Sequence, residues 1–389
     1  MVGRLGAIIT LLLGYVTFSM FRLSLGVAIP DILVEFSINE LQAGVLYSAP
    51  FWSTAALLTP AGYLADRFGR RGVLLFGYLL LGLGVVGLAS SSSYFIIIAF
   101  LVLAGCGAGV LVPSYYSLIG ELLEGAKGFA IGLAAGVYNI GGLIGSILVG
   151  FLVSLHLWRV AYIIIAAAIF CLLVLQLIVI KRSSETNLRI SLNFISILRR
   201  RNISSASLGV FLGSVAQFAA AAWLPTFFVK IIQFDVRGTG LLVGLFFFAG
   251  AFGSITLGAL SDRFQRRTVC LLSGVSAASV TLLLLFTTYT FYLAFLYVFV
   301  FGFLIWPCFS IFVTIAQESV SKELVSSATG VTQTFALIGC AIGPVLAGAL
   351  ITYIGLPLAL TFTTTLTTFA YGLTSLMIVE KRSTRVINS

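Results

Sequence analysis

Long runs of apolar residues, separated by short polar clusters, follow one another along the whole chain. A helix of about 20 apolar residues crosses the hydrocarbon core of a bilayer. The runs are continuous and lack the alternating pattern of the strands in outer-membrane barrels, so they predict helices. We therefore predict an all-α membrane protein with twelve spans: 5–29, 41–64, 72–90, 94–119, 129–153, 159–180, 204–230, 239–260, 269–288, 290–316, 327–352 and 358–379.

The composition supports this pattern and excludes a soluble protein. Of 389 residues, 60% are hydrophobic and 9% are charged, and the mean hydropathy is +1.15. Soluble domains carry about 25% charged residues. Twelve crossings of about 22 residues use about 264 residues, which leaves no room for a sizeable soluble domain.

The basic residues are distributed unequally between the two sides of the predicted membrane. If the N-terminus is cytoplasmic, only Arg159, Lys230 and Arg237 of the 22 lysines and arginines face outward, and only Arg22 lies within a span. By the positive-inside rule, both termini are cytoplasmic in a multi-pass protein of the cell or cytoplasmic membrane. Anionic lipid headgroups then account for the net charge of +10, and no nucleic-acid partner is expected.

The reactive residues do not form a catalytic or metal-binding pattern. The five cysteines lie in apolar stretches at spacings that fit neither a metal site nor a loop disulfide, and the single histidine, His156, lies in a short loop. Nucleophilic triads and zinc clusters need residues that are missing from the spans. We expect no enzyme activity, no catalytic residues, no metal and no cofactor.

An internal repeat divides the chain. The segment 62–71, Gly-Tyr-Leu-Ala-Asp-Arg-Phe-Gly-Arg-Arg, recurs as Gly-Ala-Leu-Ser-Asp-Arg-Phe-Gln-Arg-Arg at 258–267. The longest polar stretch lies between the two copies. Parallel repeats of six helices are a transporter architecture with the substrate held between the halves. We predict an N-terminal bundle at 1–180, a basic cytoplasmic linker at 181–203 and a C-terminal bundle at 204–389.

Segment 62–71 resembles the loop signature of the major facilitator superfamily, which follows span two and has a degenerate copy after span eight. The second copy here has Gln265 at the position equivalent to Gly69. The resemblance implies twelve helices in two six-helix bundles related by a pseudo-twofold axis. It also implies a transporter that works by alternating access.

The loop motif has two interpretations. As a topological anchor, it needs only its arginines. The resemblance instead implies a cytoplasmic latch that favours the outward-open state: the aspartate meets the positive N-terminal end of the eleventh helix, near 326–327, and the arginines pair with nearby carboxylates. The carboxylates would be Glu121, Glu124, Glu318 and Glu323. The implied gating residues are Gly62, Asp66, Arg67, Gly69, Arg70 and Arg71, with Asp262, Arg263, Arg266 and Arg267 in the second copy.

Glycines are concentrated in spans five and eleven. They permit close helix packing in lipid, and they could equally line an interface that slides between the two halves. The residues are Gly132, Gly136, Gly141, Gly142 and Gly145 in span five, and Gly339, Gly343 and Gly348 in span eleven.

Arg22 is the one charged residue clearly inside a span. Arginine deep in a membrane helix costs about 2.5–3.5 kcal/mol, so it needs water, a partner or an escape to the interface. Escape is an alternative, because the outer helix end is about seven residues, or about 10 Å, away. However, Tyr15, Ser19, Arg22 and Gly26 follow helical spacing and form one polar stripe, which indicates a cavity.

A guanidinium with no carboxylate in any span predicts an anion site. The predicted substrate is a small organic anion of the carboxylate class. Family architecture turns spans one, four, seven and ten toward the cavity, with span five beside them. The predicted substrate-binding residues are Arg22, Tyr15, Ser19, Tyr115, Asn139, Gln217 and Trp306. Other polar or aromatic groups at this depth are Tyr47, Trp52, Tyr116, Tyr138 and Gln333.

The sequence around Arg22, with Pro30 eight residues later, looks like the anion:cation symporter branch of the superfamily and, more distantly, the organophosphate:phosphate antiporters. The resemblance implies that Arg22 binds the anionic group. Those symporters usually place an aspartate before this arginine, where this chain has Phe21, and an acidic residue and an arginine in span four, where it has Ala108 and Leu101. The antiporters use a second arginine in span seven, where this chain has Gln217. A coupling proton therefore stays an open question, and a monoanion is favoured over a phosphate ester.

Two other functions compete with this prediction. A multidrug or lipophilic-metabolite exporter would fit the 33 phenylalanines, but segment 140–143 in span five lacks the Gly-Pro pair of the antiporter signature. A sensor without turnover is disfavoured because the loop motif is present in both halves. We expect a monomer in the lipid bilayer.

Overall fold

The structure is a computed structural model that describes residues 2–122, 127–180, 197–285, 290–321 and 324–379. These ranges are helical and contain no strand. The α-helices are α1 (Val2–Glu35), α2 (Glu40–Phe68), α3 (Arg70–Ala89), α4 (Tyr94–Leu122), α5 (Lys127–Val153), α6 (Trp158–Val179), α7 (Arg201–Lys230), α8 (Val236–Arg263), α9 (Arg266–Thr281), α10 (Phe291–Ile305), α11 (Pro307–Glu318), α12 (Val325–Ile354) and α13 (Leu356–Thr374). Short 3₁₀ turns follow at Leu282–Leu285 and Ser375–Met377.

Twelve spans account for these helices, which confirms the all-helical membrane prediction. Among the described residues, ten segments are long and apolar enough to cross a membrane, and α10 and α11 together form one of them. The remaining two spans are α2 and α13. Helix α13 is rich in threonine, and most of its hydroxyls bond to its own backbone, as Thr364 does to the Leu360 carbonyl at 2.7 Å. These hydroxyls are satisfied without water, whereas the Thr363 hydroxyl has no hydrogen-bond partner among the described residues.

The helices pack as two sets of six spans. In the first half, α1 packs on α5 and α6, α2 on α4, and α3 on α4 and α6. In the second half, α7 packs on α12 and α13, α8 on α10, and α9 on α13. The halves meet mainly along the helix pairs α1 with α7, α2 with α12 and α5 with α8. The predicted linker lies mostly outside the described ranges, so its boundaries stay a prediction.

The two ends of the bundle differ in charge. We call the end that carries Arg4, Arg70, Arg201 and Arg266 the basic end, and the other end the opposite end. The halves touch closely toward the opposite end. A Cβ on Gly26 would lie 2.1 Å from the Ala221 carbonyl oxygen, and a Cβ on Gly44 would lie 2.5 Å from that of Pro344. Glycine is required at these crossings because the backbones approach each other directly.

The same interface helices are apart at the basic end. A Cβ on Gly62, Gly136, Gly258 or Gly330 would meet no heavy atom within 4 Å. Four arginines of this end donate to acceptors within their own half, as Arg4 does to the Leu122 carbonyl; the others are Arg71, Arg201 and Arg266. The space between the halves therefore opens toward the basic end.

Candidate functional site

Arg22 lies midway along α1 with 9% of its surface exposed. Its guanidinium carbon is 4.2 Å from the centroid of the Phe51 ring on α2 and 5.6 Å from that of Phe18. Among the described residues it has no hydrogen bond or ion pair. The side chain is thus held between helices and does not reach the membrane interface. A desolvated cation–π contact contributes about 2 kcal/mol, less than the several kcal/mol that burying the charge costs.

Four tyrosines from three helices gather near Arg22. The rings of Tyr15 and Tyr115 stack with their centroids 4.1 Å apart and their planes within 7°. The hydroxyls of Tyr15 and Tyr116 share a hydrogen bond of 3.3 Å, and the Tyr138 ring lies 5.9 Å from that of Tyr15. Together with Arg22, these residues form what we call the central cluster. The predicted meeting of spans one and four is therefore present, with span five beside them.

The charge of Arg22 acts on titratable groups from both halves. It interacts electrostatically with the phenols of Tyr47, Tyr116 and Tyr138 and with the thiol of Cys340 on α12. The hydroxyls of Tyr47 and Tyr115 are buried and have no hydrogen-bond partner among the described residues. The Tyr47 hydroxyl is a donor for an acceptor near the guanidinium, and the Tyr115 hydroxyl is a second donor on the ring that stacks on Tyr15.

A row of aromatic rings links the central cluster to the second half. Phe51 meets Phe218 of α7 edge to face at 4.9 Å, and Phe218 meets Trp306 at 5.9 Å. The indole of Trp306 is 7% exposed, and its Nε1 has no hydrogen-bond partner in the described chain. These rings form an apolar contact between the halves beside Arg22.

Trp306 occupies a break in span ten, which the continuous apolar run did not predict. Helix α10 ends at Ile305 and α11 begins at Pro307. Proline lacks the N–H that would continue the helical ladder. The side-chain amide of Gln217 donates to the Ile305 carbonyl at 2.8 Å and lies 3.1 Å from the Cys308 sulfur. Gln217 thus supports the break.

The remaining residues predicted to line the cavity lie in different surroundings. Ser19 is not part of the central cluster. Its hydroxyl donates to the carbonyls of Tyr15 and Val16 in its own helix and packs against Gly141 of α5. Asn139 is buried on α5 next to Tyr138. Trp52 is 49% exposed on the outer face of α2, so the sequence suggestion that it lines the cavity is not supported.

The opposite end is closed by polar as well as glycine contacts. Lys230 of α7 lies 3.9 Å from Glu40 of α2, and the Arg237 guanidinium donates to the Ser154 hydroxyl at 2.8 Å. Both contacts join the two halves and are exposed. Such contacts contribute about 1 kcal/mol or less each, so glycine packing dominates this closure.

At the basic end, the second copy of the loop motif is ion-paired. Arg266 bonds Glu318 through two nitrogens at 2.8 and 2.9 Å and contacts Asp262 at 2.7 Å. In the first copy, the side chains of Asp66 and Glu121 lie outside the described residues, as do Glu124 and Glu323 altogether. Its Arg71 donates to the Leu177 carbonyl. The role of the motif as a latch stays a prediction.

One difference between the two motif copies has a backbone cause. Gly69 joins α2 to α3 with φ of 89°, a region that favours glycine. The equivalent Gln265 joins α8 to α9 with φ of −67°, which any residue adopts. The second loop therefore does not need glycine.

Comparison with known proteins agrees with this architecture. The family model of the Major Facilitator Superfamily matches residues 11–344. The chain belongs to this superfamily. It is accordingly a transporter and not an enzyme.

Several superfamily members resemble the chain. The probable sulfoacetate transporter SauU of Cupriavidus necator is 25% identical over 272 residues, covering 64% of this chain and 62% of that protein. The hexuronate transporter of Escherichia coli is 24% identical, with 90% and 87% covered. The lincomycin resistance protein of Streptomyces lincolnensis is 28% identical over a shorter match, 41% of this chain and 33% of that protein.

A solved transporter structure shares the fold. The bacterial homologue of the human lysosomal transporter Spinster, in an inward-facing and unoccupied conformation, superimposes with a TM-score of 0.83 at 18% identity. The match covers 97% of this chain and 98% of that chain. The likeness confirms the two-bundle fold.

Proposed function

We propose that this protein is a secondary transporter that moves a small organic anion of the carboxylate class across the membrane by alternating access. Arg22 binds the anionic group. The observation that carries the proposal is the burial of this guanidinium against Phe51, without a hydrogen bond or ion pair among the described residues.

The chemistry of the central cluster favours an anion over a cationic drug. A carboxylate or sulfonate can bind a guanidinium through two parallel hydrogen bonds, and the hydroxyls of Tyr47 and Tyr115 add neutral donors. A cationic or purely apolar drug would leave Arg22 unpaired. The names of two relatives support the same class, because sulfoacetate and hexuronates are organic acids.

The basic end faces the cytoplasm in this proposal, in accord with the positive-inside rule. The conformation described here is then inward-open, with the opposite end sealed at Gly26 and Gly44. Transport requires the bundles at 1–180 and 204–389 to rock about the central cluster. The loop motif would then close the basic end in the outward-open state.

Uptake into proteoliposomes tests the proposal. The substrates are labelled sulfoacetate, D-glucuronate and pyruvate, with ethidium as a cationic drug. We expect Arg22→Ala to reduce anion uptake at least about 30-fold, because truncating one partner of a buried charge pair costs 2 kcal/mol or more. Arg199→Ala, which removes an exposed arginine, is the matched control. Ethidium transport that persists in Arg22→Ala, with no anion uptake by the wild type, would support an exporter instead.

A further inference from the structure

The acidic side chains that the structure describes all lie away from the central cluster. The acidic residues on described helices occupy the last turns or the first residue: Asp31, Glu35, Glu40, Asp66, Glu121, Asp262 and Glu318. The other acidic residues precede, follow or connect helices. Within the described residues, the positive charge of Arg22 therefore has no carboxylate at mid-span to neutralise it.

In the part of the chain that the structure describes, the titratable groups that interact with Arg22 are phenols and a thiol. They are Tyr47, Tyr116, Tyr138 and Cys340. Phenols and thiols ordinarily keep their protons at neutral pH. Proton-coupled uptake requires a group that binds a proton on one side of the membrane and releases it on the other. The described residues that interact with Arg22 include no such group.

We propose that the protein works as an anion exchanger, which returns across the membrane with a second anion bound and uses no proton. This inference rests on the proposed function. Between the inward-open and outward-open states, both ends must be closed over Arg22. In the empty carrier, this step strips water from a cation that is in ring contact with Phe18 and Phe51 and has no anionic partner among the described residues. Desolvating an unpaired ion is far more costly than desolvating an ion pair with satisfied hydrogen bonds.

The bound anion thus lowers the barrier to the conformational change in both directions. An anion enters from one side, its release exposes the guanidinium, and a second anion must bind before the carrier returns. Exchange of two anions of equal charge moves no net charge and no proton. Net uptake needs the return of the empty carrier and is slow for the same reason.

The test compares two sets of proteoliposomes with the wild-type chain, one preloaded with unlabelled anion and one containing only buffer. Labelled D-glucuronate and labelled sulfoacetate are supplied outside, each against the same anion inside. We expect entry to be at least about tenfold faster into preloaded vesicles, since a barrier difference of 1.4 kcal/mol suffices for that ratio. A protonophore should leave the rate unchanged. Equal rates, or uptake driven by an imposed proton gradient, would overturn exchange but leave the anion-transporter proposal intact.

Absence of Arg22-dependent transport in both vesicle sets is a different result and refutes the proposed function together with this inference.

A pair of variants tests the physical cause. Phe51→Glu places a carboxylate where the ring lies 4.2 Å from the Arg22 guanidinium carbon, and Phe51→Gln is the neutral match. The ratio of exchange to net uptake should fall toward one in Phe51→Glu and stay high in Phe51→Gln. The same ratio in both variants contradicts the inference, and if Phe51→Glu does not fold, the wild-type comparison decides.

Discussion

Arg22 of α1 and Phe51 of α2 form a cation–π contact, with 4.2 Å between the guanidinium carbon and the ring centroid. Phe51 also touches Phe218 of the second half at 4.9 Å. The charged group of the first half therefore lies beside the boundary across which the halves move. A ligand bound to Arg22 is positioned to affect the contact between them.

Tyr115→Phe should weaken anion binding without destabilising the fold. The Tyr115 hydroxyl is buried and has no hydrogen-bond partner among the described residues, so its loss leaves no protein group unsatisfied. Losing one hydrogen bond to the anion costs about 1 kcal/mol, or about fivefold in the half-saturating concentration. Uptake kinetics and thermal unfolding in detergent measure the two effects. Tyr78→Phe, on α3 and against Gly14, is the control, and equal effects from both variants would exclude a ligand role for Tyr115.

Gly26→Ala should prevent full closure of the opposite end. The new methyl group would lie 2.1 Å from the Ala221 carbonyl oxygen, so α1 and α7 must separate. Replacing glycine by alanine within a helix otherwise stabilises the helix by up to about 1 kcal/mol. A loss of closure in this variant would therefore result from the clash. Spin labels at 155 and 233 report the distance between halves at this end. Gly136→Ala meets open space and should leave that distance unchanged.

Gln217→Leu should destabilise the protein and have little effect on anion affinity. The variant leaves the buried Ile305 carbonyl at the break of span ten without its side-chain donor, which costs about 1–3 kcal/mol. The expected result is a lower melting temperature in detergent. The half-saturating anion concentration of the folded protein should change less than about threefold, since a change of that size is about 0.6 kcal/mol. A large loss of affinity with normal melting would return Gln217 to the binding site.

Asp66→Asn should impair transport more than membrane insertion. If the loop motif closes the basic end in the outward-open state, removing this charge weakens the closure, because the positive end of α12 no longer meets an anion. Surface abundance measured by labelling should stay near the wild-type value while uptake falls. Unchanged uptake would rule out the latch and leave only a topological anchor.

The architecture could be predicted from the sequence for two reasons. A helix that crosses lipid must be a long apolar run, and the loop motif at 62–71 is visibly repeated at 258–267. Helix ends were less predictable. Helix α1 continues through Pro30 to Glu35, beyond the predicted end at 29, since Ile32 and Leu33 are buried against the bundle. The break in span ten was missed, although Pro307 was its visible signal.

The site was partly predictable for a similar reason. Helical spacing placed Tyr15 and Arg22 on one face of α1, but it also included Ser19, whose hydroxyl bonds its own helix. Spacing defines a face and does not identify the neighbours across it. Phe51 was missed because an aromatic residue in an apolar span resembles ordinary packing. Which end of the bundle is closed depends on contacts between distant residues, such as Gly26 and Ala221, that spacing cannot reveal.

Equilibrium binding of labelled sulfoacetate and D-glucuronate to purified protein tests the central claim most directly, because it measures recognition without turnover. We expect saturable binding to the wild type, a loss of at least about 30-fold in affinity for Arg22→Gln, and an intermediate loss for Arg22→Lys, which keeps the charge but not the planar fork. Arg199→Ala should bind as the wild type does. Wild-type affinity in Arg22→Gln would contradict the assignment of Arg22 as the anion-binding residue.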